Sequence, residues 1–563
     1  MSIAAVHKAH GGEHDHIHPP PTTFIQKYVF SLDAKVIGIQ YMVAGFLFFC
    51  ISGLLAEIVR TQLLKPGGAI ISPDAFNGVY SLHGSSMVWM VIIPLATGGF
   101  GNFVMPLQIG ARDVAFPWLN LLSFWLFPVA AVILFSSFLF GAPDAGWTEY
   151  APISLQGPPG TNLWCVAIFL IGISSTMTGL NFMTTILKMR APGMTFTRMP
   201  LFVWAQLATA ALNMVATVAL SAAIGALFLE RVFNIPFYDP ARGGSPVLWQ
   251  HMFWFYSHPA VYIMILPAFG IISEVLPTFA RKPIFGYKML AFSTVAIALL
   301  GFMVWAHHMF TSGMAPWLQL PFMILTMVIA VPTGVKIFSW MATLWGGVID
   351  FAPAMLFAIG FIVVFTFGGI TGIFLSAVPV DLHLHGTYFI PAHIHYVLFG
   401  GSVLGMMAGL YFWWPKITGR MMNRTIGQWH FWLTFVSFNV TFLPMHWLGI
   451  MGMARRVAVY RPEFQFWNIV ATIGSYVLAA STLLLIYNMV HSFFKGAKAG
   501  PNPWHARTLE WTIDSPPPYY NYKTIPAVLK APYEFGEPLP YIGIEHDTPF
   551  PHPGSPAPQP VHV

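Results

Sequence analysis

Charge is scarce in this chain and cysteine is nearly absent. Of 563 residues only 8% are Asp, Glu, Lys or Arg, against 56% hydrophobic and 16% aromatic. So little charge cannot clothe several soluble domains, and the composition reads as one polytopic membrane bundle. The two cysteines, Cys50 and Cys165, lie inside apolar runs, which excludes a disulfide framework or a thiolate cluster and leaves them as small buried residues. The net charge of +6 is small, and the basic residues fall between apolar stretches rather than in a patch with interleaved aromatics. That pattern excludes a nucleic-acid partner. The N-terminus lacks the basic, apolar and small-residue regions of a signal peptide.

What is abundant is long apolar sequence. About twelve stretches reach membrane-spanning length, near 36 to 60, 80 to 107, 116 to 140, 162 to 189, 201 to 228, 248 to 277, 287 to 310, 318 to 345, 352 to 375, 388 to 412, 428 to 450 and 467 to 494. The expected architecture is an all-α integral membrane bundle of about twelve helices over residues 36–495. It is flanked by a polar tail over 1–35, with His7, His10, His14, His16 and His18, and by a Pro-rich tail over 496–563. The histidines of the first tail read as solvated or as fortuitously metal-binding. The second tail reads as extended and lying on partner subunits. An even number of spans puts both termini on one side, and basic residues locate that side in the cytoplasm. Lys188, Arg190 and Arg198, then Arg281, Lys282 and Lys288, then Lys416, Arg420 and Arg424 fall in loops on the side of the termini. Arg455, Arg456 and Arg461 break the trend, and charges placed against it usually answer a local anion.

Six histidines lie within or near the ends of spans: His83, His258, His307, His308, His393 and His395. Imidazoles at bilayer depth are costly and mark function by default. An all-imidazole set without thiolates points to haem iron and copper rather than to iron–sulfur clusters. His258 and Tyr262, four residues apart, share a helical face, and the adjacent His307 and His308 on a second helix would complete a three-imidazole metal site beside that tyrosine. His393 and His395 project roughly 200° apart on one helix, so each can ligate a different haem. His83 can then supply the second axial ligand of one haem, leaving the haem on His393 open toward the three-histidine site.

Several stretches are individually specific. His258-Pro-Ala-Val-Tyr262, Trp305-Ala-His-His-Met-Phe310, Pro332-Thr-Gly-Val-Lys-Ile-Phe338, Ala392-His-Ile-His-Tyr-Val397 and Gly101-Asn-Phe-Val-Met-Pro106 closely resemble the catalytic subunit I of type-A haem-copper oxygen reductases. The resemblance spans roughly residues 30–495. It implies a low-spin haem on His83 and His395, a high-spin haem on His393, both of haem A type, and a copper on His258, His307 and His308. It also implies a covalent His258–Tyr262 bond, with Tyr262 supplying an electron and a proton when the O–O bond of O2 breaks. Lys336, Thr333 and Ser273 resemble the family's lysine pathway for protons. Asp113, Asn102, Asn120, Asn181, Ser174 and Ser175 resemble its aspartate pathway. Where many relatives carry a glutamate at the end of that route, this chain has Ala260, and Tyr256-Ser257 stands one turn before it, as in one branch of the family. Proton pumping is expected to run through Tyr256 and Ser257.

On the outer side, Arg455 and Arg456 match guanidiniums that neutralise haem propionates, Trp147 a further propionate neighbour and Arg60 a contact to the low-spin haem. His385 matches a ligand of an outer magnesium, with Gly386 where aspartate usually follows. The resemblance implies a cytochrome c oxidase of a bacterial inner membrane. Its partners would be a dinuclear-copper subunit II, a subunit III, and cytochrome c as electron donor. Three other classes compete with this reading. A quinol oxidase usually carries extra spans, nitric oxide reductases lack counterparts of Tyr262 and Lys336, and a secondary transporter has no need of this histidine set.

Overall fold

A computed structural model describes residues 18–68, 70–535 and 537–543. The His7, His10, His14 and His16 cluster lies outside the described residues. Among those described, eleven helices are long and apolar enough to cross a membrane. In chain order they are α1 (Ala34–Gln62), α2 (Pro73–Gln108), α3 (Pro117–Phe140), α4 (Gly160–Lys188), α5 (Leu201–Phe233), α6 (Pro246–Ala280), then, after the short α7 (Tyr287–Gly301), α8 (Pro316–Leu344), α9 (Pro353–Ser376), α10 (Phe389–Thr418), α11 (Arg424–Ile450) and α12 (Pro462–Lys495).

Local chemistry sets the ends. Asp33 caps α1 by accepting from the Lys35 amide, Ser72 caps α2 ahead of Pro73, and Asn423 caps α11. Asn234, Arg281 and Gly419 end α5, α6 and α10 in the left-handed conformation. The central helices α2 and α6 are buried nearly throughout, whereas α1 and α8 turn most of their surface outward. The outward side chains are large and apolar, Leu139, Trp118 and Trp317 among them, as lipid contact requires.

The seventh span departs from the expected continuous helix over 287–310. α7 has 15 residues, about 22 Å at 1.5 Å per residue, and stops at Gly301. Residues Trp305–Met309 continue as a 3₁₀ turn. Trp305 anchors that turn, packing on Phe255 and Phe322 and donating to His251 Nδ1 at 3.2 Å. His307 and His308 sit in that turn, and both rings meet His258 of α6, His307 with ring centroids 4.5 Å apart and His308 through Nε2 at 3.2 Å from His258 Nδ1. α2 and α10 also depart from regular geometry, with π-helical stretches at Met87–Ile92, Pro94–Gly101 and Leu398–Val403. Such insertions re-aim helical side chains and cluster at functional sites. Gly38 of α1 lies against α2 so closely that a Cβ there would sit 2.9 Å from the Gly99 carbonyl oxygen.

The residues after α12 fold back on the bundle instead of extending from it. Leu509, Glu510, Trp511, Tyr522 and Tyr533 are buried. Lys416 of α10 donates to the carbonyls of Pro501, Ile513 and Asp514. A small antiparallel ladder pairs Ala527 with Ile542 and Val528 with Tyr541. This segment covers the same end of the bundle as residues 18–33, since Lys35 Nζ donates to Tyr519 O and Asn521 Oδ1, both at 2.7 Å.

Candidate active site

One cavity of about 1280 Å³ runs through the bundle, and His83, His258, His307, His308, His393 and His395 all line it. Tyr262, Thr333, Arg60, Trp147, His385, Arg455 and Arg456 share its wall. Lys336, Ser273, Tyr256, Ser257, Asp113, Asn102, Asn120 and Asn181 do not line it; they lie in the surrounding bundle.

His83 and His395 face each other with parallel rings, centroids 6.4 Å apart and planes within 10°. Each ring's Nδ1 bonds to a backbone carbonyl, His83 to Ser52 at 2.9 Å and His395 to Pro391 at 2.7 Å. A carbonyl accepts only, so both Nδ1 atoms carry the proton and both Nε2 lone pairs are free for the gap between the rings. Two parallel imidazoles with opposed lone pairs fit the two faces of one flat iron macrocycle. His395 is further held by stacking on Phe442, at 4.2 Å between ring centroids.

His393, two residues earlier, is turned to α9. Its Nδ1 lies 3.1 Å from Gly368 O and 3.0 Å from Thr371 Oγ1, and the Thr371 hydroxyl already donates to Gly368 O. Nδ1 therefore carries the proton here too, leaving Nε2 as a single unpaired ligand. A Cβ at Gly372 would lie 3.0 Å from His393 Cε1, so the small residue there is what lets the ring pack.

His258, His307 and His308 form the one group of metal-ligating side chains found together among the described residues, with ligand atoms within 4.8 Å of one another. His308 Nε2 stands 3.2 Å from His258 Nδ1 and 3.0 Å from His307 Nε2. His307 Nδ1 meets Thr326 Oγ1 at 3.0 Å, and that hydroxyl donates to Phe322 O. Oγ1 must then accept from His307 Nδ1–H, which makes Nε2 a lone pair. Convergent imidazole lone pairs repel unless a cation lies among them, so the cluster fits a soft divalent or monovalent metal such as copper. Trp254 stacks on His308 at 3.7 Å and 14°, and its Nε1–H donates to the Tyr150 hydroxyl. The Tyr262 ring is 4.7 Å from that of His258, whose Nε2 has no hydrogen-bond partner.

Three guanidiniums, Arg60, Arg455 and Arg456, line the cavity together with the carboxylates of Glu57 and Asp381. Arg60 Nη2 is bonded to Asn468 and Thr472, while its Nε and Nη1 have no partner. Arg456 donates to Ala145 O and Thr148 Oγ1. Burial, and then the neighbouring Arg456 charge, pull Arg455 down to about 10. Buried guanidiniums in this state favour an anion between them, as cofactor carboxylates would supply. His385 Nδ1 is 3.2 Å from Asp381 Oδ2, so a carboxylate stands beside His385 although residue 386 is glycine.

The proton-pathway candidates divide. Asn120 Nδ2 donates to Asn102 Oδ1 at 2.8 Å, and Ser174 Oγ to Ser123 O at 2.6 Å. Ser123 also meets Tyr41 and Thr178, while Ser175 is half-buried. Asn181 instead clamps the Phe116 backbone. Asp113 accepts from His18 Nε2 at 2.8 Å and from the amides of Ala34 and Val114. On α8, Lys336 Nζ donates to Thr294 Oγ1 at 2.6 Å and Leu290 O at 2.9 Å, both on α7. Ser273 receives Trp340 Nε1–H and donates to Phe269 O rather than meeting Lys336. Ser257 Oγ is buried without a partner beside the buried Tyr256. Ser52, Thr326, Thr371, Thr294, Tyr41 and Ser123 are the residues that sequence reasoning missed. Each lies 19 to 82 residues from the group it supports, and an isolated hydroxyl inside an apolar run was the only signal.

A membrane bundle around one cavity, with paired, single and triple imidazole sites on its walls, has the architecture of a haem-copper oxidase core. The family model for cytochrome c and quinol oxidase polypeptide I matches residues 36–477, and the chain belongs to that family. It is similar to cytochrome c oxidase subunit 1 of Synechocystis sp., 52% identical over 518 residues, with 92% of this chain and 94% of the relative covered. The subunit 1 of Bacillus subtilis is 47% identical over 506 residues, covering 89% and 81%. A solved haem-copper terminal oxidase dimer shares the fold at a TM-score of 0.66 and 17% identity, over 83% of this chain and 84% of that one. The chain is thus the catalytic subunit of a terminal oxidase, an oxidoreductase that uses haem and copper.

Proposed function

We propose that this subunit takes electrons from cytochrome c, reduces O2 to water and moves protons across the membrane as it does so. The observation that carries the reading is the meeting, in one cavity, of a singly available His393 with the His258, His307 and His308 cluster and Tyr262. Bound there, two haems and one copper would deliver electrons and hold oxygen while its bond is broken. His83 and His395 would hold one haem between them, His393 alone the other, and His258, His307 and His308 the copper. Haem A is the form we assign to both, with Arg60, Arg455, Arg456 and Trp147 at their edges. His258 Nε2, free of hydrogen bonds, is the atom left for a bond to Tyr262.

Water formation consumes four protons per O2, and each must cross apolar protein. Tyr262 Oη holds one at the site, and Lys336, Thr333 and Ser273 form the route that restores it. Asp113, Asn102, Asn120 and Ser174, joined by Tyr41 and Ser123, form the second route, ending at Tyr256 and Ser257. An outer magnesium would use His385 with Asp381 in place of the missing aspartate. Both termini lie in the cytoplasm of a bacterial cell, under an inner membrane. A dinuclear-copper subunit II and a subunit III complete the enzyme. Oxygen consumption by the purified complex tests this: reduced cytochrome c should sustain turnover and quinol should not. Turnover with quinol alone would assign the donor to the other branch of the family.

A further inference from the structure

The strap between α3 and α4 turns three side chains to the cavity and one away from it. Trp147, Thr148 and Tyr150 line the cavity and Glu149 does not. Its φ of 39° lies in the left-handed region, a conformation that costs energy for any residue with a Cβ and that concentrates at functional sites. Glu149 is completely buried, and neither of its carboxylate oxygens has a hydrogen-bond partner.

The cations nearby do not supply one. Arg231 gives its N–H groups to Asn162 Oδ1 and to the carbonyls of Ser154, Gly157 and Pro158, and Arg456 to Ala145 O and Thr148 Oγ1. Asp144 adds a third buried oxygen, Oδ1, without a partner. That oxygen and Thr161 Oγ1 converge on Gly157, where a Cβ would lie 3.2 and 2.9 Å from them. Unpartnered carboxylate and hydroxyl oxygens gathered behind a cavity wall are where ordered water is expected. The titratable groups facing Glu149 are Asp144, Arg231, Arg456, Tyr80 and Cys165. Burial and then the Asp144 charge push its carboxyl up to about 8, against the pull of Arg231 and Arg456.

We propose that Glu149 is a redox-linked proton-binding group on the outer side of the cavity, loading a proton when the cofactors gain an electron and releasing it outward when that charge is neutralised. The inference rests on the reading of the chain as a proton-moving oxidase. In the step, one carboxylate oxygen gains one proton delivered from the inner side along the Asp113 route and later loses it to the outer aqueous side; no covalent bond forms, and the electron stays in the cavity. Arg456 couples the two, because it lines the cavity and faces Glu149. A unit of charge gained there changes the ratio of protonated to ionised carboxyl by about tenfold.

Redox-triggered infrared difference spectra of the complete oxidase test this, read with the yield of protons ejected per electron. The parent should gain a protonated-carboxyl carbonyl band on reduction, largest near pH 8 and weaker about two pH units to either side. Glu149→Gln should abolish that band and lower the proton yield at least twofold while the haem spectrum reports an intact cofactor site. A variant that keeps every carboxyl band and the parent's yield overturns the proposal. Should Glu149→Gln fail to assemble, Asp144→Asn removes the repulsion and should move the band's pH maximum down by about one; an unmoved maximum overturns it. A parent that reduces oxygen without ejecting protons overturns the pumping reading, and the infrared band then decides for Glu149 alone.

Discussion

Thr326→Val should loosen copper without touching either haem site. The threonine hydroxyl has one proton, which goes to Phe322 O at 2.5 Å, so at 3.0 Å it accepts from His307 Nδ1–H. This single bond fixes both the tautomer and the ring orientation that aim His307 Nε2 at its two partner imidazoles, 3.0 Å from His308 Nε2. Valine keeps the volume and removes the acceptor. The imidazole is left with an unsatisfied buried N–H, costing about 1–3 kcal/mol, or the ring turns and the lone pair leaves the cluster. Losses of this kind weaken metal affinity by about 10- to 100-fold, equivalent to about 1.4–2.7 kcal/mol. Copper remaining after dialysis against graded chelator is the readout. Thr326→Val should release it at a 10- to 100-fold lower chelator concentration, with Thr326→Ser restoring the parent curve and the haem spectrum unchanged in both. Superimposable curves for Val and parent would refute the tautomer argument.

Other parts of the structure give sharper or coarser tests. Lys336→Met removes the one amine held by Thr294 and Leu290, and oxygen consumption should fall about a hundredfold, the scale of a lost proton-transfer group, while the haems stay bound. Trp511→Ala empties a buried site against Phe412 and should cost about 3–5 kcal/mol, seen as protease cleavage within residues 496–543 under conditions that spare the parent. At His18 burial works to lower the imidazole, but the hydrogen bond and charge of Asp113 outweigh it and leave the group raised. Its contribution is therefore whole below about pH 6.5 and is lost as pH rises through the raised value. Protease sensitivity of residues 18–33 should increase across that window, and Asp113→Asn should abolish the pH dependence.

Most of the bundle was legible because a bilayer leaves few choices: a long apolar run must be a helix. The broken seventh span was not, because Gly301 and Phe302 look no different from their helical neighbours; the anchoring of Trp305 between α6 and α8 decides where the helix ends. The six histidines were legible for the same reason that they are costly. Their supports were hidden, since Ser52, Thr326 and Thr371 become meaningful only when the fold brings them to a ring nitrogen. The Pro-rich segment after α12 looked like an extended tail because its buried tyrosines and Trp511 follow neither helical nor strand periodicity. Nothing in the sequence distinguishes Glu149 from other loop acids; its burial and its unpartnered oxygens set it apart.

The central claim is that one cavity holds two unlike haems, one closed by His83 and His395 and one open on His393 toward the copper cluster. Carbon monoxide added to the dithionite-reduced complex tests it most directly, since it binds only iron with a free axial position. The account predicts that CO shifts the absorption of one haem of the two and leaves the other unchanged. A shift of both haems, or of neither, would contradict it.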